Sequence, residues 1–218
     1  VYKRQRYYKA LNEMVSQRLG GLHSAAILLH SFDFAPIEIL QHQGRWDDAT
    51  KLMVDAAHGL EAAGAGCLLI CSNTMHLMAD EVAQALNIPL LHIADVTATA
   101  INDSGATAPL LLATRYTMER DFYRSRLSRQ GVHARIPDAD DRSIVNRVIF
   151  DELCLGLIKP DSKTAWLEVV ARAADQGADS VIFGCTEVAL LLRPEDLVLP
   201  CFDTTELHAR AAVDFALS

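Results

Sequence analysis

The chain has 218 residues, of which 50% are hydrophobic, and a formal net charge of −8 at pH 7. Its length and apolar content indicate a globular protein of one large or two small domains. The acidic balance disfavours nucleic acid as a partner, and no apolar run approaches the roughly 20 residues of a membrane helix. We therefore expect a cytoplasmic protein that acts on a small molecule, without nucleic acid or membrane partners.

Apolar positions along the chain alternate between helical spacing and the short runs of buried strands. The helical spacing predicts helices over residues 7–19, 46–63, 74–86, 96–101, 118–130, 142–155, 162–176, 187–192 and 206–217. The apolar runs predict strands over residues 25–29, 67–71, 90–93, 109–113, 132–136 and 180–183. Strands that alternate with helices are typical of parallel, doubly wound α/β sheets.

Two segments of the chain resemble each other. Residues 59–82 and 171–197 each contain a helix, a Gly-Ala turn, a buried strand, a small-residue turn and a second helix. Ser72 then matches Cys185, and a short Pro-led strand follows each unit. The pattern indicates duplication into two pseudo-symmetric domains facing a cleft, although any two strand–turn–helix units share part of it. The predicted domains are residues 1–100 with 202–218, and residues 101–201.

The five cysteines show neither the paired spacing of a zinc site nor that of a redox motif. We expect free thiols in a reducing compartment and no metal site. Most such thiols are small buried hydrophobic groups, so the sequence context must identify any that is reactive.

Two motifs lie where a predicted strand ends and a helix begins: CSNTMH at residues 71–76 and GCTE at residues 184–187. That position exposes side chains at the carboxyl edge of a parallel sheet, where ligands usually bind. The start of a helix offers free N–H groups and a positive dipole end. Such a site lowers the pKa of a thiol and binds a carboxylate, so Cys185 is the clearest acid/base candidate.

The two motifs resemble the CNTxH and GCTE motifs of the aspartate/glutamate racemase family. The segments LGGLHSA, DFAPIE, LLATRYTM and FDELCLG extend the resemblance over nearly the whole chain. The resemblance implies two flavodoxin-like domains, an active site in the cleft between them, and racemisation of a small amino acid without pyridoxal phosphate or metal. It also implies two opposed acid/base groups, because inversion requires proton removal and delivery on opposite faces of one carbon.

The position of the first catalytic cysteine departs from the family pattern. Aligned on Asn73 and Thr74, the chain carries Ser72 there, as in a branch of the family with a hydroxyl residue. We predict Cys185 and Ser72 as the catalytic pair. Cys71 and a water molecule are the alternatives to Ser72, but strand alternation turns Cys71 toward the other face.

The resemblance and the two turns also give candidates for substrate binding, which are Gln41, Asn73, Thr74, Thr114, Thr117, Thr186 and Glu187. The Asn and Thr residues of the two turns are expected to hold the substrate carboxylate, although helix capping would explain them as well. Glu187 is expected either to orient Cys185 or to be favoured by the helix dipole. Gln41 is expected to bind the substrate by its family position, with a plain surface residue as a nearly equal alternative. His76 and His208 are predicted to be structural.

Three further expectations concern the substrate, the assembly and the first residues. The basic side-chain anchors of the family are absent near Gln41 and over residues 153–155, so aspartate or glutamate is not singled out from a broader set of substrates. We expect a homodimer. Residues 1–5 match the translation of a sequencing adapter, so we expect them to be foreign and the family's first strand to be missing.

The alternatives in function are hydantoin racemisation, maleate isomerisation and non-catalytic amino-acid binding.

Overall fold

The computed structural model describes residues 2–218, with side chains from residue 5 onward. Val1 and the side chains of residues 2–4, which belong to the segment predicted to be foreign, lie outside the described residues. The α-helices are α1 (Tyr2–Leu19), α2 (Phe34–His42), α3 (Trp46–Ala62), α4 (Ala79–Gln84), α5 (Ile93–Ser104), α6 (Arg115–Glu119), α7 (Asp121–Arg129), α8 (Ala139–Asp151), α9 (Pro160–Asp175), α10 (Val188–Leu191) and α11 (Thr204–Ala216). Short 3-10 helices cover Thr74–Met78, Leu153–Leu155 and Pro194–Asp196.

A parallel sheet of three strands forms the centre of the second half. The strands are β1 (Pro109–Leu112), β2 (Ser180–Phe183) and β3 (Cys201–Asp203), in that spatial order. Every residue of β1 and β2 is buried, as expected for a parallel sheet covered by helices on both faces. The predicted strands over 109–113 and 180–183 and the parallel α/β class are confirmed.

The predicted strand over residues 25–29 is wrong. Within the described chain these residues make no backbone-to-backbone hydrogen bond, and Leu28 and Leu29 are 47% and 55% exposed. An apolar run indicates burial and extension, but a strand also requires a neighbouring strand to pair with. The prediction failed because the run carries no information about that partner.

Three other predicted strands are reduced to single bridges. Leu68 pairs with Leu90 and Leu110 with Arg135, both in parallel. The predicted strands over 67–71, 90–93 and 132–136 are therefore extended segments with one ladder contact each. The first of these bridges nevertheless fixes the segment that leads into the CSNTMH motif.

Helix α2 was not predicted from the periodicity. Its N-cap is Asp33, whose side chain accepts a hydrogen bond from the N–H of Ala35. Pro36 lies in the first turn, where backbone N–H groups have no partner within the helix, so the missing N–H of proline costs no hydrogen bond there. The local signal was therefore a cap and a proline, at the start of the DFAPIE segment. This helix places Gln41 beside the CSNTMH turn.

The apolar core is divided between the two halves. One cluster collects buried residues between 37 and 82, and a larger cluster collects residues between 93 and 192. The last helix, α11, packs against α1 and α5, and a third cluster joins Tyr7, Ala10 and Ala209. No helix among the described residues has the length and apolar character needed to span a membrane. Met75 of the CSNTMH motif belongs to the first cluster, and Cys185 of the GCTE motif belongs to the larger one.

Candidate active site

The turn after β2 depends on a glycine. The N–H of Gly184 donates to the carbonyl of Leu112 at 2.9 Å, which ties the turn to β1. A Cβ added at Gly184 would lie 2.6 Å from Cδ1 of Leu111 and 3.0 Å from Cβ of Ala113. Since carbon atoms that are not bonded do not approach so closely, a side chain at position 184 would force the turn away from β1.

The buried Cys185 thiol is paired with a carboxylate. Its Sγ lies 2.9 Å from Oε2 of Glu187, and the hydroxyl of Thr186 donates to the same oxygen at 2.7 Å. All three residues are buried. The carboxylate is an acceptor in both contacts, so it can hold the thiol in one rotamer and receive its proton.

Arg6 fixes the back of the same turn. Its Nη1 donates to the carbonyl of Thr186 at 2.9 Å, and its Nη2 forms an ion pair with Asp203 at 2.6 Å. The arginine therefore joins α1 to the end of β3 and to the GCTE motif. Its charge is already matched by Asp203.

The CSNTMH turn is held by a histidine. Nδ1 of His76 lies 2.8 Å from the carbonyl of Ser72, and Nε2 lies 3.2 Å from the backbone N of Ile93. A carbonyl only accepts and an N–H only donates, so Nδ1 carries the hydrogen and the ring is neutral. Burial lowers the pKa of His76 well below its usual value, with His92 and His208 acting in the same direction.

Ser72 and Cys71 face different surroundings. Ser72 lines a pocket with Gln41, Thr74 and Thr114, whereas Cys71 packs beside the cluster of Tyr7, Ala10 and Ala209. Burial raises the pKa of the Cys71 thiol to about 12. A thiol with that pKa supplies almost no thiolate at neutral pH.

Neither motif starts a long helix. Thr74–Met78 is a 3-10 helix and α10 covers only Val188–Leu191. The macrodipole grows with the number of aligned peptide units, so its effect here is weaker than the sequence led us to expect.

A hydrogen-bond chain through Thr204 joins the CSNTMH motif to Phe183, the last residue of β2 before the GCTE motif. The Thr204 hydroxyl donates to the carbonyl of Phe183 at 2.8 Å, so it can only accept from Asn73, whose Nδ2 lies 3.0 Å away. This fixes the amide orientation of Asn73. Its Oδ1 is buried and has no hydrogen-bond partner among the described residues, which leaves one acceptor available for a ligand.

Three threonine hydroxyls meet at the junction of the halves. Oγ1 of Thr74 lies 2.9 Å from that of Thr114 and 3.2 Å from that of Thr117, and the last two are 3.2 Å apart. Thr74 belongs to the first half and the other two follow β1. Each hydroxyl can rotate its hydrogen, so the cluster can turn its donors toward a bound carboxylate.

The pocket that contains Ser72 has two different walls. Gln41, Ser72, Thr74 and Thr114 form the polar wall, and Phe34, Ile149, Phe150 and Cys154 form the apolar wall. Gln41 is buried, and its Nε2 lies 3.0 Å from Sδ of Met75. It is therefore not a surface residue.

The structure thus brings the predicted site residues into two connected groups. Gln41, Ser72, Thr74, Thr114 and Thr117 surround or adjoin the pocket, while Cys185, Thr186 and Glu187 form the second turn. Asn73 connects the groups. Sequence reasoning missed the roles of Thr204 and Arg6. The short segment FDT at residues 202–204 could have identified Thr204, but the contact of Arg6 with Thr186 has no local signature. His76, which was predicted to be structural, holds the CSNTMH turn.

Known proteins resemble this chain in sequence and fold. A family model for Asp/Glu/hydantoin racemases matches residues 5–212. A candidate Asp/Glu racemase from Yersinia pestis has 47% identity and a TM-score of 0.93, over 100% of this chain and 95% of that one. An aspartate racemase homologue from Pyrococcus horikoshii has 30% identity and a TM-score of 0.86, with the same coverage of both chains. The broad specificity amino-acid racemase RacX of Bacillus subtilis is 24% identical over 79% of this chain and 74% of that protein.

The duplicated turns and the parallel sheet define a two-domain α/β protein of the racemase class. The chain belongs to the Asp/Glu/hydantoin racemase family. The resemblance inferred from the two motifs and the fold class are confirmed, and the relatives support racemisation of an amino acid. The domain boundaries and the roles of individual residues stay predictions.

Proposed function

We propose that the protein interconverts the two enantiomers of a free amino acid by removing and returning the α proton, with Cys185 and Ser72 as the acid/base pair. The observation that carries the proposal is the buried contact of 2.9 Å between Sγ of Cys185 and Glu187, in a turn that matches the Ser72 turn of the other half. Two matched turns supply groups to opposite faces of one carbon.

Each proton that moves in the proposed reaction has a defined donor and acceptor. The thiol proton of Cys185 moves to the Glu187 carboxylate, and the resulting thiolate takes the hydrogen from the α carbon of the substrate. The electron pair left on that carbon is delocalised into the substrate carboxylate. The Ser72 hydroxyl then delivers its proton to the opposite face and takes a proton from water. Glu187 releases its proton to the hydroxide that remains, so that Cys185, Glu187 and Ser72 all return to their starting states.

The substrate's own charges fit groups in the polar part of the site. The hydroxyls of Thr74, Thr114 and Thr117 donate to the substrate carboxylate, where negative charge increases as the α proton leaves. Asn73 presents an unpartnered Oδ1, which is an acceptor and therefore suits the α-ammonium rather than the carboxylate. This assignment replaces the expectation that Asn73 holds the carboxylate.

The proposed reaction uses no metal or organic cofactor. Among the described residues, no group of three or more His, Cys, Asp or Glu side chains is arranged to hold a metal ion. Activity should persist after dialysis against a chelator and after treatment with a carbonyl reagent. Loss of activity that added metal restores would contradict this part of the proposal.

A homodimer in the cytoplasm remains our expectation, and light scattering on the purified protein tests the dimer.

The experiment for the whole proposal is α-proton exchange. The protein is incubated in deuterated water with a panel of L- and D-amino acids, and deuterium at the α carbon is followed by NMR. We expect solvent deuterium to enter at least one amino acid of both hands. A protein that only binds amino acids exchanges none, and a hydantoin racemase or maleate isomerase acts on its own substrate class instead.

A further inference from the structure

We infer that Tyr116 is a positioning residue for the threonine cluster, held in place by Trp46 and Arg120. The inference rests on the proposed function, in which the hydroxyls of that cluster bind the substrate carboxylate. Trp46, Tyr116 and Arg120 form a contact between the two halves, which we call the aromatic clamp. None of its three side chains belongs to the acid/base turns, so the clamp acts on the reaction through the threonines.

The aromatic clamp consists of two rings and one cation. The rings of Trp46 and Tyr116 meet edge to face, with centroids 5.6 Å apart and an angle of 76° between their planes. Cζ of Arg120 lies 4.6 Å from the centroid of the Trp46 ring and 5.9 Å from that of Tyr116. At these distances the negative face of an aromatic ring attracts the edge of a second ring or a cation.

The two rings come from different halves of the protein. Trp46 is the first residue of α3 and packs against the core cluster of residues 37–82. Tyr116 lies in α6, and Met118 of the same helix is buried in the larger cluster. The edge-to-face contact therefore joins an element of one core to an element of the other.

Tyr116 belongs to the turn that carries two of the three clustered threonines. The backbone N–H of Thr117 donates to the carbonyl of Thr114 at 3.0 Å, which closes the turn around Tyr116. The hydroxyl of Thr117 lies 3.2 Å from that of Thr74, while the neighbouring Tyr116 ring contacts Trp46. Because one short turn contains both contacts, a shift of the tyrosine ring moves the threonine hydroxyls away from Thr74.

The ring of Tyr116, rather than its hydroxyl, makes the contact that holds the turn. Its Oη lies 3.5 Å from the carbonyl oxygen of Gln41, which is longer than an ordinary O–H···O hydrogen bond. Nε1 of Trp46 is buried and has no hydrogen-bond partner among the described residues, so ring packing positions the indole. Tyr116→Phe therefore keeps the contact and Tyr116→Ala removes it. In the same way Arg120→Lys keeps the cation and Arg120→Ala removes it.

Backbone amide exchange tests the positioning without turnover. Deuterium uptake is followed by mass spectrometry on peptides that cover residues 114–119, with a peptide over 180–183 as the internal control. We expect Tyr116→Ala to speed exchange in the first peptide by about tenfold and Arg120→Ala by about two- to fivefold, while the Phe and Lys variants match the unaltered protein. Uptake that neither Ala variant changes would overturn the inference. Arg120 is exposed, so its variants keep the test decisive if Tyr116→Ala does not fold.

Exchange of the α proton then measures the consequence for the reaction. Tyr116→Ala should lower kcat/KM by about tenfold with an unchanged pH profile, because the acid/base groups are untouched, and Tyr116→Phe should retain the original value. Faster amide exchange with an unchanged kcat/KM would overturn the positioning role. If the unaltered protein exchanges no α proton, the proposed function fails, and amide exchange still decides whether the aromatic clamp fixes the turn.

Discussion

The Sγ of Cys185 lies 2.9 Å from Oε2 of Glu187, and both residues are buried at the end of β2. A carboxylate beside a thiolate disfavours the thiolate by charge repulsion, unless the carboxylate takes the proton that the thiol gives up. The contact is geometrically suited to that transfer. In the proposed reaction the pair therefore acts as a unit, and the proton passes from sulfur to oxygen.

The first prediction concerns this pair. Glu187→Gln keeps a side chain of the same size but removes the proton acceptor, so we expect kcat for α-proton exchange to fall by about a hundredfold. Glu187→Asp keeps the acid and should lose less. The measurement is the exchange rate against pH, because a residue that only packs would leave the pH profile unchanged. A Gln variant with the original rate and profile would refute the proton transfer.

The second prediction concerns the inequality of the two acid/base groups. Serine has a much higher pKa than a thiol, so Ser72 can deliver a proton but is a poor base. We expect exchange to be fast for one enantiomer and slow for the other. Ser72→Cys should speed the slow direction by supplying a second thiol. Equal rates from both hands in the unaltered protein would exclude Ser72 as the second group and leave Cys71 or water.

The third prediction concerns Thr204, which is fully buried and joins Asn73 to the carbonyl of Phe183. Thr204→Val removes the hydroxyl and leaves both groups unpaired, which should lower the free energy of unfolding by about 1–3 kcal/mol. Misplacement of Asn73 should also lower kcat/KM by roughly tenfold to a hundredfold. Thr204→Ser keeps the hydroxyl and should behave like the unaltered protein. If the Val and Ser variants have equal kcat/KM, the chain does not position Asn73.

The fourth prediction concerns acid stability. Burial lowers the pKa of His208 to about 4, and its ring is fixed by Tyr7 Oη at 2.8 Å and the carbonyl of Leu91 at 2.7 Å. The unfolded chain binds a proton near pH 6.5 that the folded protein excludes, so stability is complete above that pH and falls as pH decreases toward 4. The loss from His208 alone should be about 2–3 kcal/mol at pH 4.5.

Urea unfolding at pH 7 and pH 4.5 measures this effect. His208→Gln removes the titrating ring and should show a smaller difference between the two pH values. Burial lowers the pKa of His76 as well, so part of the dependence should remain in the variant. An unfolding free energy that is the same at both pH values would contradict the assignment of a neutral, buried histidine cluster.

The sequence was most informative where local chemistry and tertiary contact agree. The strand over 180–183 was predicted because a run of apolar β-formers is buried on both faces, and Cys185 was predicted because a small-residue turn follows it. Ser72 and its neighbours could be placed by the repeat. In each case a short stretch of chain contains the determining information.

The features that the sequence did not predict depend on distant partners. Residues 25–29 have the composition of a strand, but no strand lies beside them in the described chain. Composition alone cannot show whether such a partner strand is present. The contacts of Arg6 with Thr186 and of Asn73 with Thr204 span 180 and 131 residues, so no local pattern indicates them. The neutral residues over 153–155 are visible in the sequence, but the walls of the pocket that contains Ser72 required coordinates.

The most direct test of the account is α-proton exchange by Cys185→Ala, with Cys71→Ala as the matched control. Both variants lose one sulfur atom, but only Cys185 lies beside Glu187 in the GCTE turn. We predict that Cys185→Ala lowers exchange of every substrate by about a thousandfold or more, while Cys71→Ala keeps a rate close to that of the unaltered protein. Full exchange by folded Cys185→Ala would contradict the central claim.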